Sequence, residues 1–145
     1  MGWVVLLVSL AVGFAACGTV DPGPETGPPA GCDAPGAFFV SDMWPKYFDA
    51  YGCGMSDCHD ASSGHGYFRL QALTGVTAPQ PTDPISSWPA QWISNLMSVQ
   101  HNLDCGSPLQ SAVLTVPSGL GQPHPPGVVV TDIPGANALF STWLK

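Results

Sequence analysis

Apolar residues along this chain fall into separated groups whose spacing differs from one to the next. The first, residues 3–14, is an almost unbroken apolar run, too short to span a bilayer as a permanent helix. Residues 18–31, GTVDPGPETGPPAG, follow with almost no apolar side chain and repeated Pro and Gly, which predicts an extended tether without a core. A later group places Trp44, Tyr47, Phe48 and Tyr51 three and four apart, the spacing of one buried helical face. Ser41 or Asp42 can cap that helix, and Pro45 fits only its first turn. From residue 52 to 84, Gly, Ser, Asp and Pro interrupt every periodic pattern, predicting an irregular stretch.

A second helix is predicted from residue 88 to about 100, opened by Ser86 or Ser87 with Pro89 in its first turn, burying Trp92, Ile93, Leu96 and Met97. Residues 107–117 carry Leu109, Val113, Leu114 and Val116, a pattern open between a short helix and an extended segment. After the Gly/Pro loop 118–127, Ala136, Leu139, Phe140, Trp143 and Leu144 repeat at helical spacing from Gly135 onward. The pattern therefore predicts a small, mainly α domain over residues 32–145, with three to four helices joined by long Gly/Pro-rich loops.

Composition narrows this picture. The chain has 145 residues with 17 Gly and 16 Pro, and only 9% are charged, which favours loops and excludes long amphipathic bundles. Its formal charge is −7 and its only basic side chains are Lys46, Arg69 and Lys145, so no patch exists to neutralise phosphates and nucleic acid is not an expected partner. An acidic surface favours a basic protein partner.

The apolar run meets Phe14-Ala15-Ala16-Cys17, which resembles the bacterial lipobox. The resemblance implies that residues 1–16 are a signal peptide, that Cys17 is lipidated after cleavage, and that 17–31 tether the domain to a membrane of the cell envelope, periplasmic or outer. Several acyl chains hold a membrane stably where one does not.

Setting Cys17 aside leaves Cys32, Cys53, Cys58 and Cys105, an even number that in an oxidising compartment suggests two disulfides. The segment Cys53-Gly54-Met55-Ser56-Asp57-Cys58-His59 points elsewhere. A c-type haem needs two thiols to add to the vinyl groups on one porphyrin edge and an imidazole directly after the second Cys to reach the iron. The residues between the Cys only form a loop, so four can replace two.

Here the chain resembles the c-type cytochromes, and more closely the small cytochrome-like lipoprotein domains of myxobacteria and planctomycetes. In those, an aromatic-rich helix leads into Cys-x4-Cys-His, a Gly/Ser/Ala segment, a middle helix, a Ser-Pro-Leu segment, a Pro-Pro-Gly loop and a closing helix. The matching residues are Ala61-Ser-Ser-Gly-His-Gly66, Ser107-Pro-Leu109, Pro123-His-Pro-Pro-Gly127 and Leu139-Phe-Ser-Thr-Trp-Leu144. The resemblance implies a cytochrome c-like fold, one covalent haem c on Cys53 and Cys58, and His59 as the proximal iron ligand. Cytochromes commonly bring a Met to the other side from the loop before the last helix; that loop holds no Met here and presents His124 between prolines, making His124 the expected sixth ligand. His65 lies too close in sequence to His59 to cross the haem plane, His101 can meet carbonyls at the end of its helix, and Met97 and Met55 read as core and loop. The remaining Cys32 and Cys105 are then a candidate disulfide, contributing about 3–5 kcal/mol by loop-entropy reasoning.

The expected activity is electron transfer to or from a redox partner protein, as a carrier rather than an enzyme. Three alternatives stand beside it. Cys53–Cys58 and Cys32–Cys105 disulfides would make a haemless structural or interaction domain. Cys53, Cys58, His59 and His65 have ligand types that zinc accepts. A hydrolase is disfavoured, because no Gly-x-Ser-x-Gly turn or His-Glu-x-x-His helix occurs. Trp44, Trp88, Trp92, Phe140 and Trp143 suit either a macrocycle edge or a plain core.

Overall fold

The computed structural model describes residues 34–145 apart from Asp57, His65 and Pro126. The segments expected to be a signal peptide and a tether, with Cys17 and Cys32, lie outside the described residues. What is described is mainly α: four helical segments and short 3₁₀ turns, with no strand among the described residues beyond one isolated parallel bridge between Asp60 and Leu70. No helix there is long and apolar enough to cross a membrane.

Helix α1 starts as a single α turn, Gly36–Phe38, and runs directly into a π-helical stretch, Phe39–Phe48. It begins earlier than the spacing predicts, so Ser41 and Asp42 do not cap it. The Ser41 hydroxyl instead donates to the Ala37 carbonyl at 3.0 Å, and Asp42 pairs with Lys46 one turn on. Pro45 also lies in the helix interior rather than the first turn. A proline there lacks an N–H and clashes with the carbonyl four residues back; wider i→i+5 winding eases the clash, though not the missing donor. That winding continues past the helix: the Asp49 and Cys53 N–H groups reach the carbonyls of Trp44 and Phe48, each at 2.9 Å.

Helix α2 spans Ala90–Gln100, and Pro89 is its N-cap residue, with its carbonyl accepting from Trp92 and Ile93 at 2.9 and 3.2 Å. Ser86 and Ser87 belong to a separate 3₁₀ turn, Ile85–Ser87, and do not cap it. Trp92 and Leu96 are buried as expected, joined by Asn95 and Val99, whereas Met97 is 49% exposed. The helix is rotated so that positions 92, 95, 96 and 99 form the stripe, which turns Met97 to solvent. The ambiguous segment resolves into a 3₁₀ turn, Pro108–Gln110, and a short helix α3, Ala112–Thr115, which buries Val113 and Leu114 and leaves Leu109 exposed. Helix α4, Ile133–Trp143, starts two residues earlier than its apolar spacing predicts. The reason is Asp132, whose carboxylate accepts from the Gly135 N–H at 3.0 Å.

These helices close on an aromatic core. Phe39 stacks on Trp143 with centroids 5.8 Å apart and meets Trp92 edge-on at 6.3 Å. The Trp143 indole N–H donates to the Pro35 carbonyl at 3.0 Å, tying the end of α4 to the entry of α1. Tyr47, fully buried, donates to the Val113 carbonyl at 2.7 Å and so joins α1 to α3. Each large side chain removed from water in this way contributes roughly 1.5–3 kcal/mol. Trp88, Trp92, Phe140 and Trp143 are thus plain core residues, with Trp44 packed against them.

Candidate functional site

The Cys-x4-Cys-His segment begins where α1 ends. Gly52 takes a left-handed backbone (φ 64°), a conformation that costs a side-chain-bearing residue energy. The chain then winds through successive turns: the N–H of Met55 donates to Gly52 at 3.1 Å and that of Cys58 to Met55 at 2.9 Å. A third bond, from the His59 N–H to the Cys53 carbonyl at 3.1 Å, brings the imidazole-bearing residue back against the first cysteine. The longer loop is therefore taken up locally without separating the two ends of the motif.

Behind the motif the chain is pinned by Asp60. One of its carboxylate oxygens accepts from the Ser62 and Ser63 N–H groups, both at 2.9 Å, and from both hydroxyls. These bonds, the Ser62 hydroxyl foremost, hold its pKa down to about 2. Gly64 then passes so close that a Cβ would stand 2.5 Å from the Asp60 nitrogen and 2.7 Å from the Cys58 carbonyl oxygen. Only glycine allows that approach.

His59 and His124 both line the resulting cleft, with ring centroids 6.0 Å apart and planes 31° apart. Each ring is oriented by a backbone carbonyl: His59 Nδ1 is 3.0 Å from the Phe68 oxygen and His124 Nδ1 is 3.1 Å from the Gly127 oxygen. A carbonyl only accepts, so in the neutral imidazoles Nδ1 carries the proton and Nε2 the lone pair. Phe68 also packs edge-on against the His59 ring at 4.8 Å. The loop bearing His124 is closed at its base by the Pro117 carbonyl, which accepts from Val129 and Val130 at 2.9 and 3.1 Å.

Cys53, Cys58, His59 and His124 all line one cavity of about 150 Å³ that opens to solvent. Its walls are otherwise Phe48 and Tyr51 from α1 and its exit, Phe68, Asn102, and Ala112, Val113, Val116, Pro117 and Val129 from α3 and the loop beyond. That volume is below the roughly 300–1,000 Å³ common for small-molecule sites, while the lining, apolar walls with a few placed polar groups, is of their kind. Cys53 and Cys58 both carry free thiols. Burial, and next the neighbouring Cys58, push the Cys53 thiol up to about 12, so it stays protonated.

The other candidate residues lie apart from this cavity. His101 Nδ1 meets the Met97 carbonyl at 2.8 Å at the end of α2, as its position predicted. Met55 and Met97 are both exposed, so Met97 is not the core residue its helical position suggested. Cys105 is disulfide-bonded, and its partner and His65 lie outside the described residues. Among the described residues no three His, Cys, Asp or Glu side chains are arranged to hold a metal ion by themselves. The cavity's Phe68, Asn102, Val113 and Val129 carried no signal in the sequence that set them apart from ordinary loop and core residues.

Compared with protein-family models, curated proteins and solved structures, the chain returns no match to any of the three.

Proposed function

We propose that this domain carries one haem c, which Cys53 and Cys58 would bind covalently and whose iron His59 and His124 would ligate, and that it transfers electrons at the cell envelope. The observation that carries the reading is the pairing of two oriented imidazoles with two free thiols on one apolar cavity. The His59 and His124 rings stand close together at this cavity, with centroids 6.0 Å apart. The macrocycle itself supplies four ligands, so two protein ligands suffice where no larger cluster of His, Cys, Asp and Glu exists among the described residues.

When bound, the haem iron supplies a one-electron couple. The chain's part would be to hold it: Cys53 and Cys58 would bind it covalently, and the Phe68 and Gly127 carbonyls, each accepting from an Nδ1–H, place the imidazole lone pair on Nε2. Two imidazoles favour a lower potential than a His/Met pair, while the apolar walls act in the opposite direction. The free thiols at Cys53 and Cys58 support this reading over a disulfide-stapled, haemless domain. The proposal extends to a lipid anchor at Cys17, a Cys32–Cys105 disulfide and a basic redox partner protein.

The chain's scarcity of basic residues gives a direct test. Trypsin cleaves after Lys46 and Arg69, releasing residues 47–69 with both cysteines and His59 in one peptide. From chain produced with a c-type maturation system, that peptide is expected to carry one haem mass and no alkylatable thiol. A peptide of unmodified mass that takes up two alkyl groups refutes the proposal.

A further inference from the structure

Asn95 lies on the buried face of α2 at 0% exposure, a position where Leu or Ile would serve the core without the cost of burying an amide. That cost is offset only where both ends of the amide are bonded. Both are: Oδ1 accepts from the Gln71 N–H at 2.6 Å and Nδ2 donates to the Gln71 carbonyl at 3.0 Å. One turn along α2, the Ser98 hydroxyl oxygen accepts from the Arg69 N–H at 3.3 Å. Side chains of α2 thus stand in for a neighbouring strand along the segment 69–71.

The groups between those contacts face the other way. The Leu70 N–H donates to the His59 carbonyl at 2.7 Å and the Leu70 carbonyl accepts from Ala61 at 2.9 Å. The preceding Phe68 carbonyl is the one that orients the His59 ring. A slip of this segment by one residue moves each group by about 3.3 Å, more than enough to remove the acceptor from His59 Nδ1.

We infer that Asn95 is a positioning residue for His59: it fixes the register of residues 68–71 and through them the orientation of the imidazole. As an account of iron ligation this rests on the function proposed above; as an account of ring orientation it does not.

The test compares two variants of the full, haem-loaded chain. Asn95→Leu keeps the branched shape and the number of side-chain heavy atoms and offers Gln71 nothing, whereas Leu96→Ala removes buried apolar volume from the same turn and leaves both Asn95 bonds in place. Asn95→Leu is expected to broaden the ferric low-spin electron paramagnetic resonance signal and to speed amide hydrogen exchange at Leu70 at least tenfold. Leu96→Ala is expected to lower the melting temperature with the wild-type signal and Leu70 protection relative to global unfolding retained. Wild-type signals in Asn95→Leu, or the same changes in both variants, overturn the inference. Should Asn95→Leu fail to accumulate, Ser98→Ala, which removes only the Arg69 contact, is read for a smaller change in the same direction, and no change overturns it. Wild-type chain that emerges colourless defeats the haem reading instead, and Leu70 exchange with the His59 Nδ1–H resonance then tests positioning without haem.

Discussion

Tyr47→Phe removes one oxygen atom from the centre of the fold and leaves the ring in place. The ring's edge-on contacts with Phe48, Tyr51 and Phe140, at 5.1, 5.5 and 5.1 Å, survive the change. What is lost is the 2.7 Å bond to the Val113 carbonyl, on a side chain with no exposure. A buried hydrogen bond contributes about 1 kcal/mol net, and leaving its acceptor unmatched raises the cost to about 1–3 kcal/mol. For a domain of this size that corresponds to roughly 4–12 °C in melting temperature. Burial raises the Tyr47 pKa above its ordinary value of 10.0, so the folded chain keeps a proton that the unfolded chain releases. The stability tied to this proton is complete below about pH 10 and is lost as pH rises further. Phe cannot ionise, so the gap between the two chains narrows above that pH, while Cys53, present in both, cancels. Urea midpoints of both proteins in the same haem state, at pH 7 and near pH 11, check this. Equal midpoints at pH 7, or a gap that widens with pH, refute the reasoning.

The remaining predictions concern the site and its supports. His124→Ala in haem-loaded protein is expected to convert a low-spin ferric absorption spectrum to high-spin, whereas His101→Ala leaves it unchanged; an unaltered His124→Ala spectrum removes His124 from the ligand set. Gly64→Ala forces a Cβ into the Asp60 and Cys58 backbone, so it is expected to cost about 1–3 kcal/mol by overpacking and to reduce haem content per chain, read from the Soret-to-protein absorbance ratio. Cys105 is expected to appear joined to Cys32 in a non-reducing peptide map, and Cys105→Ala to cost about 3–5 kcal/mol in a urea titration.

How far the chain could be read in advance depended on whether a feature was local. The face of α4 was legible because Ala136, Phe140 and Trp143 repeat at ordinary helical spacing and are all buried. Its start was not, since Asp132 caps from outside that repeat. The start of α1 was misplaced because Pro45 and the i→i+5 winding depart from the period on which the reading relied. Helical spacing alone predicts Met97 in the core, whereas the stripe that α2 buries includes Asn95 instead. No sequence pattern separates a buried amide clamping Gln71 from a solvated one.

The same division runs through the site. Cys53, Cys58 and His59 fall within one seven-residue segment, so their pattern is legible locally. His124 lies 65 positions beyond His59 and was proposed from a resemblance and an absent Met; the fold brings its ring to 6.0 Å from that of His59. The apolar walls from Phe68, Val113 and Val129 exist only once α3 and the loops are packed.

The account stands on the covalent commitment of two thiols to one haem. Its most direct measurement is the pyridine haemochrome of the purified full chain, produced with a working c-type maturation system and extracted with acidified acetone beforehand. Retained haem c at one per chain, abolished in the Cys53→Ala/Cys58→Ala variant, is the predicted result. Colourless protein, or haem that leaves with the acetone, contradicts it.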